Sequence, residues 1–384
     1  MHCYPKKADT DMELFTSAHS LPKEWNELLP AGHFLKSKQC LATEAANLPD
    51  LQFIYILLRR KNIPVGAAYF QVLSLSKKHL NTTMATPLQT QLWRAFTMVA
   101  KPKLLVAGHL FRHDISSFYC SEGLSSFEAY QLYRAAIDKA LSTSCAMAVL
   151  VKDTPAPLTT YFQNYAPQYL LLRNDISMEL NIPAEWVGMH DYEKALKHKY
   201  AQRLRKVRSE WPNVLVKELS LEEVKAEQEN IYRLYRQVTL HQQVRLGFLS
   251  PQFIPVLKEC YGDELKVWGV YEEEKMIAFF SAWVKDDAFD MFYIGFDYER
   301  NKELQLYFNM LFFSVEQAIT LKKGKLILGR TALDAKARIG CKPRYLLTFL
   351  YIRNRFIRNR VMAIQQNNLS EEGAWEERHP FKNQ

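Results

Sequence analysis

Two stretches of the second half carry residues whose types and spacing could do chemistry. The first is Gly329–Gly340, GRTALDAKARIG, which follows the apolar run KLIL. Arg330 sits where that run ends, and Lys336 lies six residues later, near the start of a short predicted helix. A strand end followed by a helix start is a place where anions bind. Arg330 could grip a phosphate or carboxylate with two N–H groups, and Lys336 would add a point charge. The alternative for Arg330 is a structural ion pair with Asp297 or Asp334. The second stretch is Tyr293–Asn309, YIGFDYERNKELQLYFN. Asp297, at a strand end, and Tyr307, on the helix after it, are candidates for a general base and acid. Their plain alternatives are a turn or cap residue and a core aromatic.

A third stretch, KHKYAQRLRK at Lys197–Lys206, supplies Lys199, Arg203 and Arg205 as further cations for an anionic ligand. Residues 192–211 hold seven Lys or Arg against two Glu, and residues 336–360 hold eight and no acid. The net charge of +9 is thus concentrated in two segments, which points to an anionic partner; an ordinary solvated face is the other reading of each. The motifs of dinucleotide-binding proteins, P-loop NTPases, α/β-hydrolases and zincins are absent. The ten histidines are scattered and the six cysteines form no C-x-x-C pair, so no metal is expected and a reducing compartment fits. His109 and His113, four apart, fall in a strand-to-loop stretch and imply no helical metal pair.

The elements that must position these residues follow from periodicity. The chain has 384 residues, 48% of them hydrophobic, enough for about two domains of roughly 100–200 residues each. LQFIYILLRR (51–60) and PVGAAYFQVLSL (64–75) read as a hairpin turning at Lys61–Asn62. Helices are predicted over 25–29, 34–47, 88–99 and from a Ser125–Ser126 cap to 142, and strands over 103–110 and 146–151. Residues 182–189 form the candidate junction. Asp191 then caps a helix predicted to run to Trp211, ahead of Pro212, with Leu196, Tyr200, Leu204, Val207 and Trp211 on one stripe. In the second half, Ser220 and Glu223 form a capping-box pattern for a helix to Leu240. Three strands (265–271, 276–284, 288–296) precede an apolar helix from Asn301 or Lys302 to Leu321, then strand, short helix and strand. This order predicts a mixed α/β (α+β) fold: mostly antiparallel sheets flanked by helices in two domains, 1–181 and 182–365, with a polar tail over 366–384. The apolar segment 304–321 carries Gln305, Asn309, Glu316 and Gln317 and reads as a buried helix, not a membrane span. The N-terminus lacks an apolar signal core, so a cytoplasmic place is expected, with a membrane-peripheral one as the variant.

HFLKSKQCLATEA, PVGAAYFQV, AVLVKD, KHKYAQRLRKVR, IYRLYRQV, YIGFDYERN, LYFNMLF and above all GRTALDAKARIG together resemble a bacterial family of tandem GNAT-like, peptidoglycan-biosynthesis-related acyl-CoA N-acyltransferases, akin to the Fem-type aminoacyl transferases. That resemblance implies two GNAT-like lobes with a substrate cleft in or beside the second. It implies transfer of an acyl or aminoacyl group to an amine in cell-envelope biosynthesis. The donor would be acyl-CoA, an acyl carrier protein or aminoacyl-tRNA. The glycine-containing pyrophosphate loop of the GNAT pattern has no counterpart in YERNKEL (298–304), and no long heptad arm lies between Leu219 and Leu265. A non-catalytic binder of an anionic ligand that kept the fold is the rival reading. A membrane-surface protein using Arg353–Arg360, with Phe356 and Ile357, is another.

Overall fold

The computed structural model describes residues 10–46, 51–76, 101–112, 115–211, 213–241, 249–368 and 377–382. The predicted helix at 88–99 and His113 lie outside them. The strands are β1 (Thr10–Phe15), β2 (Leu51–Arg60), β3 (Ile63–Ser74), β4 (Lys103–Ala107), β5 (Phe118–Cys120), β6 (Ala148–Lys152), β7 (Leu170–Asn181), β8 (Val214–Glu218), β9 (Leu265–Glu272), β10 (Lys275–Lys285), β11 (Ala288–Phe296), β12 (Lys325–Gly329) and β13 (Lys342–Ile352). The mixed α/β class with mostly antiparallel strands and flanking helices is the one observed. Two compact units are present. One contains Met1–Arg173 and Leu347–Ser370, the other Asn174–Gln242, Phe248–Leu346 and Glu371–Gln384.

In the first unit the strand order is β1-β2-β3-β4-β6-β13, with β5 also on β3. The β2–β3 hairpin closes through Lys61 and Asn62, both left-handed (φ 49° and 65°), the geometry that matches the strand twist. β2 is apolar without interruption from Phe53 to Leu58 because both its faces are covered there. Ile54, Ile56 and Leu58 join the cluster under the helix Ser126–Ser144. Phe53, Tyr55 and Leu57 join a second cluster with Trp25. Ser125 and Glu128 form a full capping box at the start of that helix.

The second unit runs β7-β12-β11-β10-β9-β8. β9, β10 and β11 form an antiparallel meander with two-residue turns at Glu273–Glu274 and Asp286–Asp287. One core gathers Trp268 and Phe280, stacked at 5.0 Å, with Phe289 and Met310. Each such buried aromatic is worth about 1.5–3 kcal/mol.

Three predicted helices divide. The stretch 191–211 forms helices Met189–Ala195 and His198–Ser209. Asp191 is not the cap but the third residue; its Oδ2 accepts from Val187 N at 2.9 Å and Gly188 N at 3.2 Å. The break falls where the chain's far end crosses: Leu196 bridges Phe381, and Lys197 N donates to Pro380 O at 2.8 Å. The helix after Ser220 is interrupted at Glu227. The apolar helix begins earlier than expected, as Tyr298–Leu304, and restarts as Leu306–Thr320 after a left-handed Gln305. No helix among the described residues is long and apolar enough to cross a membrane.

Candidate functional site

Helix His198–Ser209 buries Ala201, Leu204 and Val207 and turns the residues between them outward. Lys199, Arg203 and Lys206 are spaced by four and three, so they share one face. With Arg338, just after helix Leu333–Ala337, and Arg378 they line a cleft of about 430 Å³ in the second unit, with Tyr200 and Gln202. No carboxylate is among the described residues that line it. The Arg203 guanidinium lies 4.5 Å from the centre of the Phe308 ring. Its Nε is buried with no hydrogen-bond partner among the described residues. Burial, and then the like charge of Arg338, lower the Arg203 pKa. Cations gathered this way repel one another, and an anion in the cleft would relieve both the repulsion and the unmet donor.

Arg205 faces elsewhere and pairs with Glu193 at 2.9 Å. Lys206, Arg338 and Arg378 were not singled out from the sequence. The helical spacing already separates Lys206 from Arg205. Arg338 lay inside the distinctive GRTALDAKARIG stretch, but nothing local marks Arg378.

Lys336 is 3% exposed, an interior residue and not a surface cation. No hydrogen bond or ion pair holds its ammonium among the described residues. Burial lowers its pKa to about 7, while nearby Cys341 acts in the opposite direction. Cys341 is itself buried, and burial pushes its thiol up to about 12. Tyr307 is raised by burial first and Cys341 second, so it stays protonated at neutral pH. Tyr192 roofs the same interior, its hydroxyl donating to Ile339 O at 2.8 Å.

Asp297 caps the helix that follows: Oδ1 accepts from Glu299 N at 3.0 Å and Arg300 N at 3.4 Å. Arg330 follows Gly329, which ends β12 with φ 76°. β12 runs parallel to β11 only over Ala288–Asp290 with Lys325–Ile327. From Met291 onward β11 continues without it, and Tyr293 and Arg330 lie in this divergence. Tyr293 is raised by burial and by Tyr235, with Arg330 opposing. Gly295 lets β11 pass close to the neighbouring helix Gln228–Leu240, since a Cβ there would sit 2.4 Å from Tyr235 N. Lys199 and Arg203 are therefore brought together in the cleft, and Arg205 is not. Among the described residues no three metal-ligating side chains gather.

No family model and no curated protein matches the chain. Among solved structures it is similar to a tandem GNAT protein from the clavulanic acid biosynthesis pathway (7% identity, TM-score 0.49, 90% of this chain and 99% of that one). It is also similar to FemX (9%, 0.47, 80% and 89%) and to L-PGS from Bacillus licheniformis (10%, 0.46, 85% and 91%). At such identities and TM-scores the likenesses assign no activity, substrate or cofactor to this chain.

Proposed function

We propose that the protein is an N-acyltransferase that moves an acyl or aminoacyl group from a phosphate-bearing donor to an amine, in the assembly of a cell-envelope component. The observation that carries this reading is the cleft lined by five cations, in which Arg203 Nε has no partner among the described residues. Acyl-CoA, aminoacyl-tRNA and acyl carrier protein all present phosphates to such a cleft. The motif resemblance supplies the reaction class. In that reaction the acceptor nitrogen bonds to the carbonyl carbon, the thioester or ester bond to the donor breaks, and the acceptor nitrogen loses a proton. Asp297 is engaged in capping. Lys336, whose pKa burial lowers to about 7, is the better proton acceptor. Tyr307, held protonated, is a hydrogen-bond donor and not a base. Arg330 would steady the donor at the divergence of β11 and β12.

A second reading, binding without turnover, is favoured by the absence of glycine in Tyr298–Leu304 and by the capping role of Asp297. One experiment separates the two: binding and transfer are measured side by side with acetyl-CoA, aminoacyl-tRNA and acyl carrier protein. The donor that binds should lose about ten-fold or more in affinity in Arg203→Gln, the scale of a charge-assisted hydrogen bond. Transfer should also be lost in Arg330→Ala with the fold intact. Binding of none of these donors, or wild-type affinity in Arg203→Gln, would remove the reading. Binding without any transfer would establish the second one.

A further inference from the structure

Arg353, Arg355, Arg358 and Arg360 fall within eight residues, and no acid occurs from Arg353 to Asn368. The last three begin the helix Arg355–Asn368, and Arg353 lies just before it. Arg358 turns back to the body: Nη1 donates to Ile352 O at 2.6 Å, and its guanidinium lies 5.1 Å from the Tyr351 ring. Asn354 Oδ1 accepts from Ile357 N at 3.1 Å and fixes the first turn. The first turns of the helix are therefore held through Asn354 and Arg358. Phe356 stands outward at 85% exposure and Ile357 at 45%, while Arg353, Arg355 and Arg360 are exposed beside them.

A phenyl ring held in water gives up the gain that burial would bring. Arginines clustered without carboxylates repel one another. A surface that is apolar below and anionic above removes both costs. We propose that this helix seats the chain on an anionic membrane surface. Phe356 and Ile357 enter the boundary between headgroups and acyl chains, and Arg353, Arg355 and Arg360 meet lipid phosphates. Charge complementarity selects anionic lipid over neutral lipid. The aliphatic Ile357 beside Phe356 favours lipid over single-stranded nucleic acid, where bases stack on aromatic faces and an isoleucine has none to offer.

The test is co-sedimentation of the full chain with vesicles of phosphatidylcholine alone and of phosphatidylcholine with phosphatidylglycerol, without donor or acceptor. The outcome is thus independent of the transfer reaction. The chain should pellet with the anionic vesicles and not with the neutral ones, and added salt should weaken it. Arg355→Gln with Arg360→Gln should lower partition about twenty-five-fold, from roughly five-fold per arginine. Phe356→Ser should lower it about ten-fold, from the burial of one aromatic side chain. Both positions are exposed, and unchanged circular dichroism would certify the fold. Equal binding to both vesicles, binding to neither, or wild-type partition in Phe356→Ser overturns the proposal. Retention on immobilised single-stranded RNA without anionic-vesicle binding would reassign the face to nucleic acid.

Discussion

A pair of parallel strands diverges in each unit, and the two divergences are filled differently. In the first, β4 and β6 pair over Leu104–Ala107 with Ala148–Val151. The chain then turns at Gly108 (φ 145°), where a Cβ would come within 2.9 Å of Lys152 Cβ. Side chains close the gap. Leu110 N donates to Gln71 Oε1 at 2.8 Å, and Gln71 Nε2 donates to Tyr69 Oη at 2.8 Å. Lys152 Nζ donates to His109 O at 3.3 Å. His109 Nδ1 accepts from Phe111 N and Arg112 N, so the ring is neutral; burial, then Arg112 and Lys152, lower its pKa far below the usual value. In the second unit the divergence of β11 and β12 is lined by Tyr293 and Arg330, and the buried Lys336 farther along has no such partner among the described residues. One buried lysine is used as a hydrogen-bonded plug, the other is left with a displaced protonation equilibrium. Perturbed, unsatisfied groups concentrate where ligands act.

The largest effect that would test this contrast is on Lys336. Its folded pKa of about 7 lies below its ordinary 10.5. The unfolded chain therefore binds the proton more readily, and stability contributed by the neutral amine is full above about 10.5. It declines as pH falls toward about 7 and is level below that. Lys336→Met should be the more stable protein at about pH 6, by on the order of 5 kcal/mol, with the difference vanishing at high pH. Denaturant melts of both proteins across this range measure it, and a pH-independent difference would break the contrast. Gln71→Leu comes next: it takes the acceptor away from Leu110 N and should cost about 2–3 kcal/mol. Donor binding, governed by the second unit, should not change, and a lost affinity at constant fold would sink the division of labour. The smallest effect is Arg205→Ala. Its exposed pair with Glu193 is worth about 0–1 kcal/mol. Titration should show donor affinity as in the wild type; a loss like that of Arg203→Gln would enlarge the site beyond the cleft.

Much of the fold was legible because its signals are local. The Lys61–Asn62 turn, the Ser220–Glu223 box and the unbroken apolar runs of β2 and β6 each state their structure within a few residues. The helix breaks were not legible. Gln305 adopts a left-handed conformation that its type does not announce. The break at Leu196 is imposed by Phe381, far along the chain. The cleft was half legible: charge marked Lys199 and Arg203, and helical period separates Lys206 from Arg205. Arg378 could not be found, because its place depends on a segment that reads as polar tail. Lys336 was marked by its motif, but its burial comes from packing that no local pattern encodes.

That returning segment bears on how the protein is made. Phe381 packs into the second core, and its ring leaves room only for a glycine at position 340. The first unit's sheet likewise takes β13, where Thr348 pairs with Lys152. The first unit's sheet and the second unit's core are therefore completed only once these segments have emerged. The cleft itself is completed by Arg378, so a nascent chain has no complete anion site until that residue has emerged.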